Sequence, residues 1–294
     1  MREYVKKLIL NIENDKRVAF TKKYPFLVFP VIEIKRFYKK VNYTYPNSYN
    51  LKHAKASVDQ KWFNITEHSS PLYRKYNKRE LDDGKIKNIK IAIQKIDGIV
   101  IKPSQIFSFW KYVGRTTKKQ GFSKGLVLSD GKLKEDFGGG LCQLSNLIAY
   151  MFACSDCKFV ERKHHSRDVF PDSGRSVPFA SGATVFYNLI DLKIKNTYDF
   201  PIRINLRTTD TQLRGSLSSP RILGYYVKLE EKSTGFFKSE SSGLTYRYNQ
   251  LFRVFYKKGN SKLEKEIVKE ELLWENIARV IYKDSEIKKD IEIV

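Results

Sequence analysis

The run Asp136-Phe-Gly-Gly-Gly-Leu-Cys142-Gln-Leu-Ser-Asn-Leu-Ile148 decides how the chain is read. Three consecutive glycines, Gly138, Gly139 and Gly140, end an extended segment, and a helix begins directly after them. Leu141, Leu144, Leu147, Ile148, Met151 and Phe152 recur at helical spacing and form one apolar face. Cys142 and Ser145 fall off that stripe, near the helix start. A thiol there faces unpaired backbone N–H groups and the positive end of the helix dipole, and both favour thiolate. Downstream comes Glu161-Arg-Lys-His164-His165-Ser166. A histidine brought beside Cys142 would complete a nucleophile–base pair. Each piece alone has a structural reading: a tight turn, a packed cysteine, a surface histidine pair. Their order along the chain makes them a candidate site.

Outward from this run the pattern is one of short elements. Isoleucines at 86, 89, 93 and 96, with Ala92, give helical spacing over Lys85–Ile96. Ile99–Ile101 and Ile106–Trp110 read as extended pieces around a turn. Gly125–Leu128 and Lys132–Lys134 flank Ser129-Asp-Gly131, a hairpin signal. Lys158–Arg162 reads as a strand ending at the histidines, and Phe170–Ala183 as a Pro/Ser/Gly-rich loop. Thr184–Asn188, Ile190–Lys195, Pro201–Arg207 and Gln212–Ser218 read as successive strands, with Tyr225–Glu231 and Leu244–Phe255 as a further hairpin. Lys262–Leu273 reads as a helix or a charged strand. Asn42–Pro71 reads as loop with short elements. The expected fold class is α+β, with the Gly-Gly-Gly-Leu-Cys loop and its helix packed on a mainly antiparallel sheet from about residues 158–256. The expected organisation is a basic aromatic N-terminal region (1–80), a core domain (81–220) and a C-terminal β-rich extension (221–294).

Composition narrows the partners. The chain has 294 residues, a formal net charge of +23, 41% hydrophobic and 14% aromatic residues, enough to build a core. The charge is compatible with nucleic acid, an anionic membrane surface or anionic wall polymers. The lysines are scattered and no nucleic-acid-binding signature is present, so a nucleic-acid function is the weakest of these. Three cysteines, Cys142, Cys154 and Cys157, are too few for a disulfide framework. Cys154-Ser-Asp-Cys157 has metal or redox spacing but no second pair, so no metal and no cofactor are expected. The N-terminus lacks the apolar core and cleavage site of a secretory signal. Tyr24-Pro-Phe-Leu-Val-Phe-Pro-Val-Ile-Glu-Ile34 is too short to span a bilayer. With Lys22, Lys23, Lys35, Arg36, Lys39 and Lys40 beside it, it can lie on an anionic membrane face or pack as a buried segment with a basic edge. These features place the chain in the cytoplasm or peripherally on the inner membrane face.

Ile101-Lys-Pro-Ser-Gln-Ile-Phe-Ser-Phe109, Gly125-Leu-Val-Leu-Ser-Asp-Gly-Lys-Leu133, Gly138-Gly-Gly-Leu-Cys-Gln-Leu-Ser-Asn146, Val160-Glu-Arg-Lys-His-His-Ser166 and Ile190-Asp-Leu-Lys-Ile-Lys-Asn196 together resemble the VanW family. The ordered matches cover about residues 80–210. The resemblance implies a bacterial protein connected with the cell envelope and with vancomycin resistance. Some proteins with this domain are linked to L,D-transpeptidation of peptidoglycan, with the motif cysteine as nucleophile. Carried over, Cys142 matches that cysteine and His165 the histidine before Ser166. The family often has His-x-His-Ser, where this chain has Lys163, and Asp-Ala-Thr, where it has Gly182-Ala-Thr184. Another acceptor would then orient His165, and Asp168, Asp172 and Asp191 are available for it.

The expected chemistry is cysteine-dependent acyl transfer on a peptidoglycan stem peptide or precursor. Cys142 would be nucleophile and His165 base. Gly138, Gly139, Gly140, Gln143 and Ser145 would form the oxyanion and substrate-binding surface. The alternative is a non-catalytic accessory binding protein of the envelope or resistance apparatus. A basic nucleic-acid binder ranks third.

Overall fold

The computed structural model describes residues 1–15, 24–44, 61–73, 79–129, 132–169, 171–172, 176–259 and 266–294. In chain order the elements are helices α1 (Arg2–Asn14) and α2 (Val28–Thr44), strand β1 (Phe63–Pro71), helix α3 (Arg79–Ile96), strands β2 (Val100–Ile101) and β3 (Ile106–Ser108), and helix α4 (Phe109–Val113). Strands β4 (Lys124–Ser129) and β5 (Lys132–Phe137) lead into helix α5 (Leu141–Ala153). Then come β6 (Lys158–Glu161), β7 (Arg167–Asp168), β8 (Lys193–Lys195), β9 (Ile202–Thr208) and β10 (Gln212–Ser219). The chain closes with β11 (Tyr225–Lys238), β12 (Thr245–Lys257), β13 (Ile267–Val280) and β14 (Ile291–Ile293).

The architecture is α+β with mainly antiparallel sheets, as the sequence pattern implies. The amphipathic face of α5 explains its position. All six apolar residues of its stripe are buried, beside Ile89 and Ile96 of α3 and Ile204, Leu213 and Leu217 of the sheet below. That sheet runs β1-β10-β9-β2, and α5 lies on β1 and β10. Gly215 of β10 makes room for the helix, since a Cβ there would sit 2.6 Å from the Leu147 side chain. The expected 158–256 sheet is therefore divided. β9 and β10 belong to the sheet under α5, whereas β11 and β12 belong to a second sheet ordered β14-β11-β12-β13-β7.

β1 departs from the sequence reading in length, since it comes from a stretch read as loop with short elements and runs nine residues. Its partner β10 supplies the apolar side chains, and β1 alternates only between half-buried and exposed positions, so its own pattern is faint. Thr184–Asn188, read as a strand, contributes only isolated bridges. Lys262–Leu273 resolves as strand from Ile267 onward. The 125–134 hairpin pairs through Ser129 and Lys132, with its turn residues Asp130 and Gly131 outside the described residues.

The two sheets meet at the end of α5. Arg253 of β12 donates hydrogen bonds to the carbonyls of Phe152, Ala153 and Cys157. A guanidinium there satisfies the free carbonyls and complements the negative end of the helix. Cys154 and Cys157 are buried at this junction as free thiols, and burial pushes them up to about 11 and about 12. A separate cluster joins the chain's two ends, with Val5 and Ile9 of α1 against Phe237, Tyr246, Tyr248 and Val294.

Candidate functional site

The glycine run sets the entry of α5. Gly140 caps the helix at φ 92°, a left-handed conformation that disfavours other residues. Gly139 is held by contact instead: a Cβ there would lie 2.1 Å from the Gly125 carbonyl carbon. The loop thus packs backbone to backbone on β4, and Asn88 locks it by donating to the carbonyls of Ser123 and Gly139. A Cβ on Gly138 would meet Thr116, and one on Gly140 would meet Lys85. All three glycines have a packing reason to be present.

At the helix start, Leu141 N–H donates to Gly138 and Gln143 N–H to Gly140. Among the described residues the Cys142 N–H has no such backbone acceptor. The Gln143 side chain donates to Ser70 Oγ and to the Pro71 carbonyl, tying the site to the end of β1. Ser145 is fully buried rather than set apart from the packed face. Its hydroxyl donates to the Ala183 carbonyl at 2.6 Å and reaches the Cys142 carbonyl at 3.1 Å, which makes it a structural tether.

Cys142 keeps some exposed surface, while its sulfur lies 3.8 Å from the Val185 carbonyl oxygen. Burial pushes the thiol above its ordinary value, and the Val185 contact offsets part of this. The helix-start position alone predicts the opposite direction. Burial outweighs the helix dipole here.

That segment is clamped from two sides. Asn146 accepts from the Ala183 N–H at 2.8 Å, next to the Ser145 bond. From the other side Arg162 donates to the Gly182 carbonyl at 2.9 Å and to the Ala180 carbonyl, while its guanidinium stacks 3.5 Å from the Trp274 ring centroid. Burial lowers the Arg162 pKa to about 9. Gly182 fits because Asn146 fills its side-chain space: a Cβ would lie 2.3 Å from Asn146 Oδ1. An aspartate at 182 would therefore require Asn146 to move. Asn146, Arg162 and Trp274 are site-building residues that the sequence reading missed. Asn146 carried a signal, standing directly beside Ser145 in the motif. Trp274 carried none, since its contact with Arg162 is long-range.

The bridge between Lys163 and Thr184 brings the histidine segment to the same strap. Arg162 and His164, two residues apart, both turn toward β13, and His164 Nε2 lies 3.2 Å from the Ile277 carbonyl. Burial holds His164 below its ordinary value, with the neighbouring Arg162 and Lys163 charges adding to the effect. Lys163 is exposed and His165 half-buried. The three aspartates have defined places. Asp168 and Asp172 accept from Arg247 at 3.3 and 2.6 Å, and Asp168 also from Tyr282. Asp191 accepts from Ser108 Oγ and the Trp110 N–H.

A groove of about 550 Å³ between β6 and β13 shares Arg162 and Trp274 with the clamp on the strap and is lined also by Phe159 and Glu271, but not by Cys142 or His165. Among the described residues no group of three or more His, Cys, Asp or Glu side chains is arranged to hold a metal ion.

Residues 84–218 match the model of the family described as VanW like protein. Over 200 residues, 68% of this chain and 70% of the relative, the chain is 29% identical to the vancomycin B-type resistance protein VanW of Enterococcus faecalis (strain ATCC 700802 / V583). It is 32% identical over 120 residues to the uncharacterized protein YoaR of Bacillus subtilis (strain 168), covering 41% of this chain and 38% of that protein. No solved structure matches.

Proposed function

The chain belongs to the VanW-like family and is related to a vancomycin resistance protein, and from that premise we propose that it is a cysteine acyltransferase acting on peptidoglycan stem peptides or their precursors. The observation that carries this reading is the position of Cys142. It is a half-buried residue on the first turn of α5, with no backbone acceptor for its own N–H and with the histidine-bearing segment tied to the adjoining strap. Because the resting thiol is neutral, His165 acts as general base and takes the proton as Sγ attacks a peptide carbonyl. The Cys142 N–H stabilises the oxyanion. The C–N bond then breaks, His165 returns the proton to the leaving amine, and a thioester remains on Cys142. An acceptor amine attacks the thioester, the C–S bond breaks, and a new amide and the free thiol result. The net charge of +23 favours encounter with anionic wall precursors.

A specific observation supports the second reading, a non-catalytic accessory binding protein. The glycines, Ser145 and the thiol itself all have packing partners. Transfer assays with a muropeptide donor and an amine acceptor separate the two. Cys142→Ser and His165→Ala should each abolish transfer, with losses that do not add. Stem-peptide binding without turnover in wild type would favour the accessory role.

A further inference from the structure

We infer that α2 is an in-plane membrane helix that docks this protein on an anionic bilayer surface. The helix is inside out. A helix on a folded domain ordinarily turns its apolar face inward and its charges to water. In α2 the contacts to the core are mostly polar: Glu33 pairs with Arg115, Arg36 donates to the Tyr187 carbonyl and stacks on its ring, and Lys39 bonds Glu161 and the Leu189 carbonyl. The opposite side carries Pro30, Ile34, Phe37, Tyr38 and Val41 at three- and four-residue spacing, continuing the line of Phe26 and Phe29. Phe29 and Phe37 are each 69% exposed, Tyr38 68% and Ile34 67%. The inner bonds hold the helix in one orientation, so the stripe is presented to the outside.

Charge selects the occupant. In sequence the stripe is bracketed by Lys22, Lys23, Lys35 and Lys40, in a chain of net charge +23. An apolar stripe with cations beside it in the sequence suits the headgroup boundary of an anionic bilayer. A second copy would bring two strongly cationic molecules together, which their mutual repulsion opposes. The helix has 17 residues, and among the described residues no helix is long and apolar enough to cross a membrane, so it lies along the surface. Its inner contacts fall on Glu161, which leads into the histidine segment, and on residues 187–189, which follow the strap over Cys142. Docking would bring that side of the molecule to the bilayer. The inference does not depend on the acyltransferase reading.

Co-sedimentation of the full chain with phosphatidylcholine vesicles, with and without phosphatidylglycerol, tests it. Binding to the anionic vesicles should be salt-sensitive and at least about tenfold stronger than to neutral ones. Phe29→Ser combined with Phe37→Ser should weaken it by about tenfold or more with an unchanged circular dichroism spectrum, because both side chains are exposed. Phe37→Trp, in a chain that otherwise binds as wild type, should shift its emission to the blue on anionic vesicles only. Three results would overturn the inference: equal binding by the double serine variant, equal binding to neutral vesicles, or a wild-type dimer that the double variant dissociates.

Discussion

The Cys142 sulfur lies 3.8 Å from the Val185 carbonyl oxygen. The thiol's neighbour is thus an electron-rich acceptor, and the strap that supplies it also excludes water. Burial opposes a standing thiolate and the Val185 contact offsets only part of that, so on the acyltransferase reading activation would depend on a base.

Alkylation measures this directly. With the Cys142 pKa raised from 9.0, the native thiol should react slowly with iodoacetamide at pH 6–7. Its rate should climb about tenfold per pH unit toward pH 9. Peptide mapping should place the early label on Cys142, since Cys154 and Cys157 are buried. The stability sign follows: a thiol whose pKa is raised by folding stabilises below its unfolded pKa, and that contribution is lost as pH rises through the folded value. Alkaline pH above about 9 should therefore destabilise the fold through all three thiols. A rate plateau already reached at pH 6 would show a preformed thiolate.

Gly139→Ala should cost about 3 kcal/mol or more by urea unfolding, because the new methyl meets the Gly125 backbone rather than a movable side chain. Gly224→Ala, with open space around it, should stay within about 1 kcal/mol of wild type. Similar losses at the two sites would remove the packing explanation of the glycine run.

The Gly-Gly-Gly-Leu-Cys run was legible because turn, helix start and apolar stripe are local signals that agree. Helix α5, the 125–134 hairpin and the strands at 202–208 and 212–219 follow from them. β1 was hidden because a weakly alternating edge strand takes its stability from β10. α2 was hidden for the opposite reason, since Ile34, Phe37 and Tyr38 face outward while Glu33, Arg36 and Lys39 bond inward. The position of Cys142 was legible, but the state of its thiol was not. Burial sets that state, beside a strap held by Arg162 and Asn146, contacts that sequence spacing does not display.

Arg247→Met should destabilise by about 3–5 kcal/mol, since Arg247 is buried and its loss strands the buried Asp168 carboxylate. Adding Asp168→Asn should recover part of that loss, because the buried charge is removed while the other close partner, Asp172, is exposed to water. Denaturant midpoints of the two variants decide this, and a double variant worse than the single would contradict it.

The most direct test of the central claim is mass spectrometry of the full chain quenched in acid after incubation with a muropeptide donor, with and without an acceptor amine. The expected result is a thioester on Cys142 that accumulates without acceptor and is consumed, with cross-linked product, when acceptor is added. Cys142→Ala should show neither, while Cys154→Ala and Cys157→Ala should show both. A wild-type protein that binds the stem peptide yet forms no adduct on Cys142 would contradict acyl transfer and leave the accessory binding role.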